Sequence, residues 1–223
     1  MTVKLFIEAI LKFALGVVLI GALIFLPAGT LAFVGGWLLM GILFVPMFAA
    51  GIVMMLKNPS LLASRLEAKE KEKKQSLVVK LSGLMFVVGF VLAGLDYRFG
   101  WVRLPFAVNV VAAVVFILAY VIYAEVLREN TYLSRTIKVV EGQKVISTGL
   151  YGIVRHPMYF ATILLFMSMP LVLGSLVSFI VFLAYPFIIA ARIKNEEEVL
   201  MRELEGYGEY REKVKYRMLP FIW

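Results

Sequence analysis

Residues 148–192 read "TGLYGIVRHPMYFATILLFMSMPLVLGSLVSFIVFLAYPFIIAAR". A polar, glycine-rich turn runs into a long apolar stretch that ends at an arginine. Pro157 disfavours helix at His156 but suits the first position of the helix that follows, so a helix is expected to start there. Pro170 and Gly174 mark a tight turn. The stretch therefore reads as a helical hairpin, 158–173 and 175–191, that either crosses a bilayer or dips into one.

Upstream, apolar runs over 5–26, 31–56, 77–95 and 104–126 each approach the roughly 20 residues that cross a hydrocarbon core. Of the 223 residues, 62% are hydrophobic and 17% charged, and the mean hydropathy is +0.91. A soluble domain of this length carries more charge and shorter apolar runs. The expected fold is all-α: a polytopic membrane helical bundle of about six membrane segments, the last two a short helical hairpin, followed by a cytoplasmic amphipathic helix. Two regions are expected. Residues 1–126 would hold the N-terminal transmembrane helices with a basic loop near 57–80, and 127–223 a catalytic core.

Charge places the loops. Lys57, Arg65, Lys69, Lys71, Lys73, Lys74 and Lys80 fall in one loop, and Arg128, Arg135, Lys138, Lys144 and Arg155 in another, whereas the turn at "LPAGT" (26–30) has no charge. By the positive-inside rule both basic loops and both termini are expected in the cytoplasm. "LDYRFGWVRLP" (95–105) would lie outside, with Tyr97 and Trp101 at an interface. The first apolar run continues without a cleavage site and reads as a retained helix. The net charge of +8 is read as cytoplasmic loops facing anionic membrane lipids, not nucleic acid.

With no cysteine and one histidine, thiolate chemistry and His-rich metal sites are excluded, while an all-carboxylate metal site stays open. Three groups of residues remain as candidates for chemistry. At the start of the hairpin, the unpaired N–H groups of a helix N-terminus suit an anion or a polar cofactor group, with Arg155 and His156 at its mouth. The bland alternative is an interfacial anchor. Arg192 and Glu196 stand four apart on one helix face, as a surface pair or as a clamp for a carboxylate. Glu125, with Arg128 beside it, and Arg217 are read as structural, and Glu197 and Glu198 as a solvated acidic face. After Ala191 the chain turns charged, with Ile193, Leu200 and Leu204 on one apolar stripe; that helix is expected to break at Gly206 and Gly208. Trp223 would pack on the membrane face.

"GLYGIVRHPMY" (149–159), followed by "RIKNEEEVL" (192–200), resembles the isoprenylcysteine carboxyl methyltransferase family and its phospholipid-methyltransferase relatives. Those families carry an R-H-P-x-Y motif and then E-E-x-x-L, matched here by Glu196, Glu197 and Leu200. "NPSLLASRL" (58–66), "AGLDYRFGW" (93–101), the 128–149 segment and the tail from Gly206 are similar to prokaryotic members. The resemblance implies S-adenosylmethionine as methyl donor and a lipophilic or lipidated acceptor entering from the bilayer. It implies cofactor contacts at Gln143, Lys144, Val145, Ile146, Tyr151, His156, Pro157, Met158, Tyr159 and Glu196, and an acceptor contact at Arg192. Gln143 replaces a family histidine, which leaves mainly backbone contacts there, and Ala161 replaces a glycine. Two rivals are a sterol-type membrane reductase using NADPH and a non-catalytic membrane scaffold.

Overall fold

The computed structural model describes residues 3–67 and 73–223, with side chains from Gln75 onward in the second stretch. Lys69 and Lys71 of the expected basic loop, and the side chains of Lys73 and Lys74, lie outside the described residues. The helices are α1 (Val3–Ala28), α2 (Val34–Lys57), α3 (Pro59–Leu66), α4 (Lys73–Phe99), α5 (Phe106–Glu129), α6 (Pro157–Val172), α7 (Leu176–Phe182), α8 (Tyr185–Glu203) and α9 (Tyr207–Lys213), with no strand among the described residues. Five segments are long and apolar enough to cross a membrane, the last being α7 and α8 taken together as Leu176–Glu203. Large apolar side chains such as Leu15, Val45, Leu84, Val111 and Phe187 face outward. An apolar exterior of this extent suits lipid, not water. The chain is an integral membrane protein with a polytopic helical bundle.

The depth of the hairpin is decided at its tip. Sixteen residues of α6 rise about 24 Å, a little short of a hydrocarbon core. Yet Asn109 Nδ2, in the first turn of α5, donates to the carbonyls of Leu171 and Val172 at 3.2 and 3.1 Å. Ser175 Oγ donates to Asp96 Oδ2 at 2.6 Å, and Asp96 Oδ1 accepts from the Val102 N–H at 3.0 Å. Asp96 is in the last turn of α4. The tip thus reaches the level where the flanking spans end, and the hairpin runs the depth of the bundle. Gly174 makes the turn at φ +75°, whereas Pro170 lies inside α6.

One buried cluster extends from Ile24 on α1 to Met218 in the tail. Helices approach closely where side chains are missing. A Cβ on Gly94 would stand 2.5 Å from the Ile24 carbonyl oxygen, so α4 meets α1 backbone to backbone.

The C-terminal part differs from expectation in one respect. No separate amphipathic helix starts after Ala191; α8 carries the last span straight on to Glu203. Gly206, at φ +79°, breaks it, and Gly208 sits within α9. The reason is local: "RIKNEEEVLMRE" (192–203) contains no glycine or proline to interrupt helical hydrogen bonding.

Candidate functional site

The end of the bundle where α5 and α8 finish and α6 begins holds a polar cluster under a loop. His156 is the N-cap of α6 and Pro157 its first residue. The backbone N–H of Arg155 donates to the Tyr216 carbonyl at 3.0 Å, and that of His156 to the Arg217 carbonyl at 2.7 Å. The C-terminal tail is therefore laced to the start of α6.

Arg155 does not meet headgroups. Its side chain is 5% exposed, and Nε donates to Glu197 Oε1 at 2.7 Å. One terminal nitrogen donates to the carbonyls of Val214 and Lys215 at 2.6 and 2.8 Å. Glu197 also takes the Arg217 Nε at 2.9 Å and lies 3.3 Å from His156 Nε2. It is buried, so its reading as part of a solvated acidic face is wrong. A carboxylate clamped by two guanidiniums and an imidazole is a folding joint. The sequence held the clue: Glu197 falls on the stripe of Ile193, Leu200 and Leu204, which faces inward. Arg217, joined to Glu197, also lies with its guanidinium 5.2 Å from the centre of the Trp223 ring. Glu125 and Arg128 form the expected pair, at 2.6 and 2.8 Å on the surface.

Glu196 points elsewhere. The Tyr159 hydroxyl donates to Glu196 Oε2 and accepts from Arg192 Nε at 2.8 Å. Arg192 also donates to the Arg135 carbonyl at 2.7 Å. Tyr159 thus links Arg192 and Glu196. One cavity of about 100 Å³ is lined by Gln143, Lys144, Val145, Ile146, Tyr151, His156, Met158, Tyr159, Arg192 and Glu196. Every sequence-derived site residue except Pro157 is on its wall. Pro157 is buried and sets the direction of α6.

The wall is built by three devices. Gly149, at φ +51°, opens a 3-10 turn over Gly149–Gly152. Thr148 Oγ1 donates to Glu129 Oε1 at 2.7 Å, anchoring that turn to the end of α5. Asn130 Nδ2 donates to the Tyr151 hydroxyl at 3.1 Å, and the Tyr210 hydroxyl donates to the Tyr151 carbonyl at 2.7 Å. Burial pushes the Tyr151, Tyr207 and Tyr210 hydroxyls above the usual phenol range, so all three stay protonated. Gln143 spends its side chain on its own turn, where Oε1 accepts from the Val140 N–H at 3.1 Å.

The cavity has an order along α8. Arg192, Glu196, Leu200 and Leu204 follow at four-residue steps and all line it, over about 18 Å of helix. One end is cationic, the middle acidic with Tyr151 and His156, and the far end apolar and aromatic, where Leu204, Tyr207, Tyr210 and Val145 pack together. Sequence reasoning missed Asn130, which reaches the 3-10 turn from the end of α5, and Tyr207 and Tyr210, which line the cavity from α9.

Residues 110–202 match the isoprenylcysteine carboxyl methyltransferase (ICMT) family. The matched segment contains every residue carried over from the motifs, so the resemblance read from the sequence holds for this part of the chain. It stops before α9. Among curated proteins, the chain is similar to the Delta(14)-sterol reductase TM7SF2 of Mus musculus, 26% identical over 91 residues. That likeness covers 40% of this chain and 22% of the relative, so the chain spans about a fifth of the relative's length. The family match covers less than half of the chain.

Proposed function

We propose that the protein uses S-adenosylmethionine to methylate a carboxylate on a lipid-like acceptor that enters from the bilayer. The observation that carries this reading is the single cavity shared by the 143–146 stretch, Tyr151, His156, Tyr159, Glu196 and Arg192. The cavity's chemistry suits such a donor: an apolar, aromatic end for a nucleoside base, and hydroxyl and carboxylate groups in the middle for its polar parts. At about 100 Å³ it is tighter than the roughly 300–1,000 Å³ of most ligand pockets. One wall is the loop between Asn130 and Thr148, which has no helix or strand to stiffen it. Binding is therefore expected to spread that wall.

A bound sulfonium supplies both the methyl group and its own leaving group, so no metal is called for and a carboxylate needs no base. The protein's part is to align and to exclude water. Arg192, steered by the Tyr159 hydroxyl and the Arg135 carbonyl, would hold the acceptor's carboxylate. Attack of an anion on a cation disperses charge, and a water-poor cavity lowers the solvation lost on the way. The basic loops and the site are assigned to the cytoplasmic side by charge alone.

The likeness to a sterol reductase favours a second reading, an NADPH-dependent reductase. Thermal-shift titration in detergent with S-adenosylhomocysteine and, separately, NADPH distinguishes the two. Stabilisation by S-adenosylhomocysteine supports the methyltransferase; stabilisation by NADPH alone overturns it; silence from both favours a scaffold. Labelled methyl transfer into membrane extracts, read by mass spectrometry, then identifies the acceptor.

A further inference from the structure

Four buried side-chain polar atoms have no hydrogen-bond partner among the described residues: Gln75 Oε1, Glu129 Oε2, Asn195 Nδ2 and the Tyr207 hydroxyl. Of the four residues, only Tyr207 lines the cavity. It is 3% exposed. An unpaired buried hydroxyl costs about 1–3 kcal/mol, so each one in a folded protein asks for a reason.

The neighbouring tyrosine sharpens the contrast. Tyr207 and Tyr210 are one turn apart on α9, with ring centres 5.7 Å apart. Both line the cavity. Tyr210 uses its hydroxyl on the Tyr151 carbonyl, which makes it part of the frame. Tyr207 has the same burial and an unused hydroxyl. It packs with Leu200, Leu204 and Val145 at the apolar end, with the Glu197 and Glu196 carboxylates near enough to act on its hydroxyl, so the polar edge of a flat, largely apolar ligand would find a phenol there. Because its proton is held by burial, the group can donate as well as accept.

We propose that the Tyr207 hydroxyl hydrogen-bonds the nucleoside half of the methyl donor, so that α9, beyond the ICMT-matched segment, completes the cofactor site. The inference rests on the S-adenosylmethionine reading above. It orients the donor along α8, nucleoside toward Leu204 and reactive methyl toward Arg192.

The test is Tyr207→Phe, which removes one oxygen and keeps the ring. Without ligand the variant should melt at or slightly above the wild-type temperature, because an unpaired buried hydroxyl has gone. Its affinity by calorimetry should fall about 2- to 13-fold, the range for the net worth of one hydrogen bond. That fall should be the same for S-adenosylhomocysteine and for 5′-methylthioadenosine, which lacks the amino-acid half. A structural role would instead lower the melting temperature. Unchanged affinity for S-adenosylhomocysteine, or a loss confined to S-adenosylhomocysteine, overturns the assignment. Wild-type protein that binds neither compound refutes the methyl-donor reading itself, a separate failure.

Discussion

Two adjacent glutamates on α8 should behave as different kinds of residue, and Glu197→Gln against Glu196→Gln is the comparison that shows it. Glu197 accepts from Arg155 Nε and Arg217 Nε and lies against His156 Nε2. Glutamine is nearly isosteric but turns one acceptor oxygen into a donor, which then faces a guanidinium. Among the described residues it also removes the only carboxylate in contact with Arg155, whose other side-chain partners there are the carbonyls of Val214 and Lys215. A guanidinium that is 5% exposed and has lost its counter-charge is the costly case for a buried pair, about 3–5 kcal/mol. For a chain of this size that corresponds to a fall in melting temperature of about 6–20 °C. The same substitution frees the tail, so ligand affinity should fall as a consequence of instability. Glu196→Gln should do the reverse: a melting temperature within about 2 °C of wild type, because glutamine keeps an oxygen to accept from the Tyr159 hydroxyl and leaves no buried charge unpaired, and weakened S-adenosylhomocysteine binding. Scanning fluorimetry in detergent, with and without S-adenosylhomocysteine, reads both quantities. If Glu197→Gln melts with the wild type, the tail is not held by this joint and the reasoning fails.

Arg192→Lys replaces a fork that reaches both Tyr159 and the Arg135 carbonyl with a single ammonium. Turnover of labelled methyl groups should fall about 10- to 100-fold, as for loss of an aligned two-point contact, with cofactor affinity little changed; equal turnover would make Arg192 structural. Gly149→Ala should be poorly tolerated. It forces a side chain into left-handed backbone at a cost of about 1–2 kcal/mol, and its Cβ would stand 2.5 Å from Glu129 Oε1. The turn carrying Tyr151 should shift, seen as weaker S-adenosylhomocysteine binding. Gly94→Ala, far from the cavity, should lower the melting temperature without altering ligand affinity once folded, because α4 can no longer touch α1 at Ile24.

The spans were legible because hydrophobicity along one segment needs no tertiary information: a run of about 20 apolar residues has few homes other than a bilayer. His156 and Pro157 announced the start of α6 through backbone chemistry that is equally local. That Tyr151, His156 and Glu196 belong to one site was reachable only by resemblance, since nothing in their spacing says that residues forty apart share a cavity. Glu197 was misread because acidic runs are usually solvated, although its place on the Ile193–Leu204 stripe pointed inward.

By itself the sequence determined that this chain lives in a membrane, where its long apolar spans lie and that a helix starts at Pro157, because each of those depends on neighbours within a turn or a span. Only the tertiary structure decided that the hairpin runs the full depth, that Glu197 is a joint while Glu196 faces the cavity, and that Tyr207 comes to rest on the cavity wall. Those outcomes depend on the tail folding back onto the start of α6, through hydrogen bonds between residues about sixty positions apart such as the Arg155 N–H and the Tyr216 carbonyl. Their partners are set by packing, which no local pattern encodes.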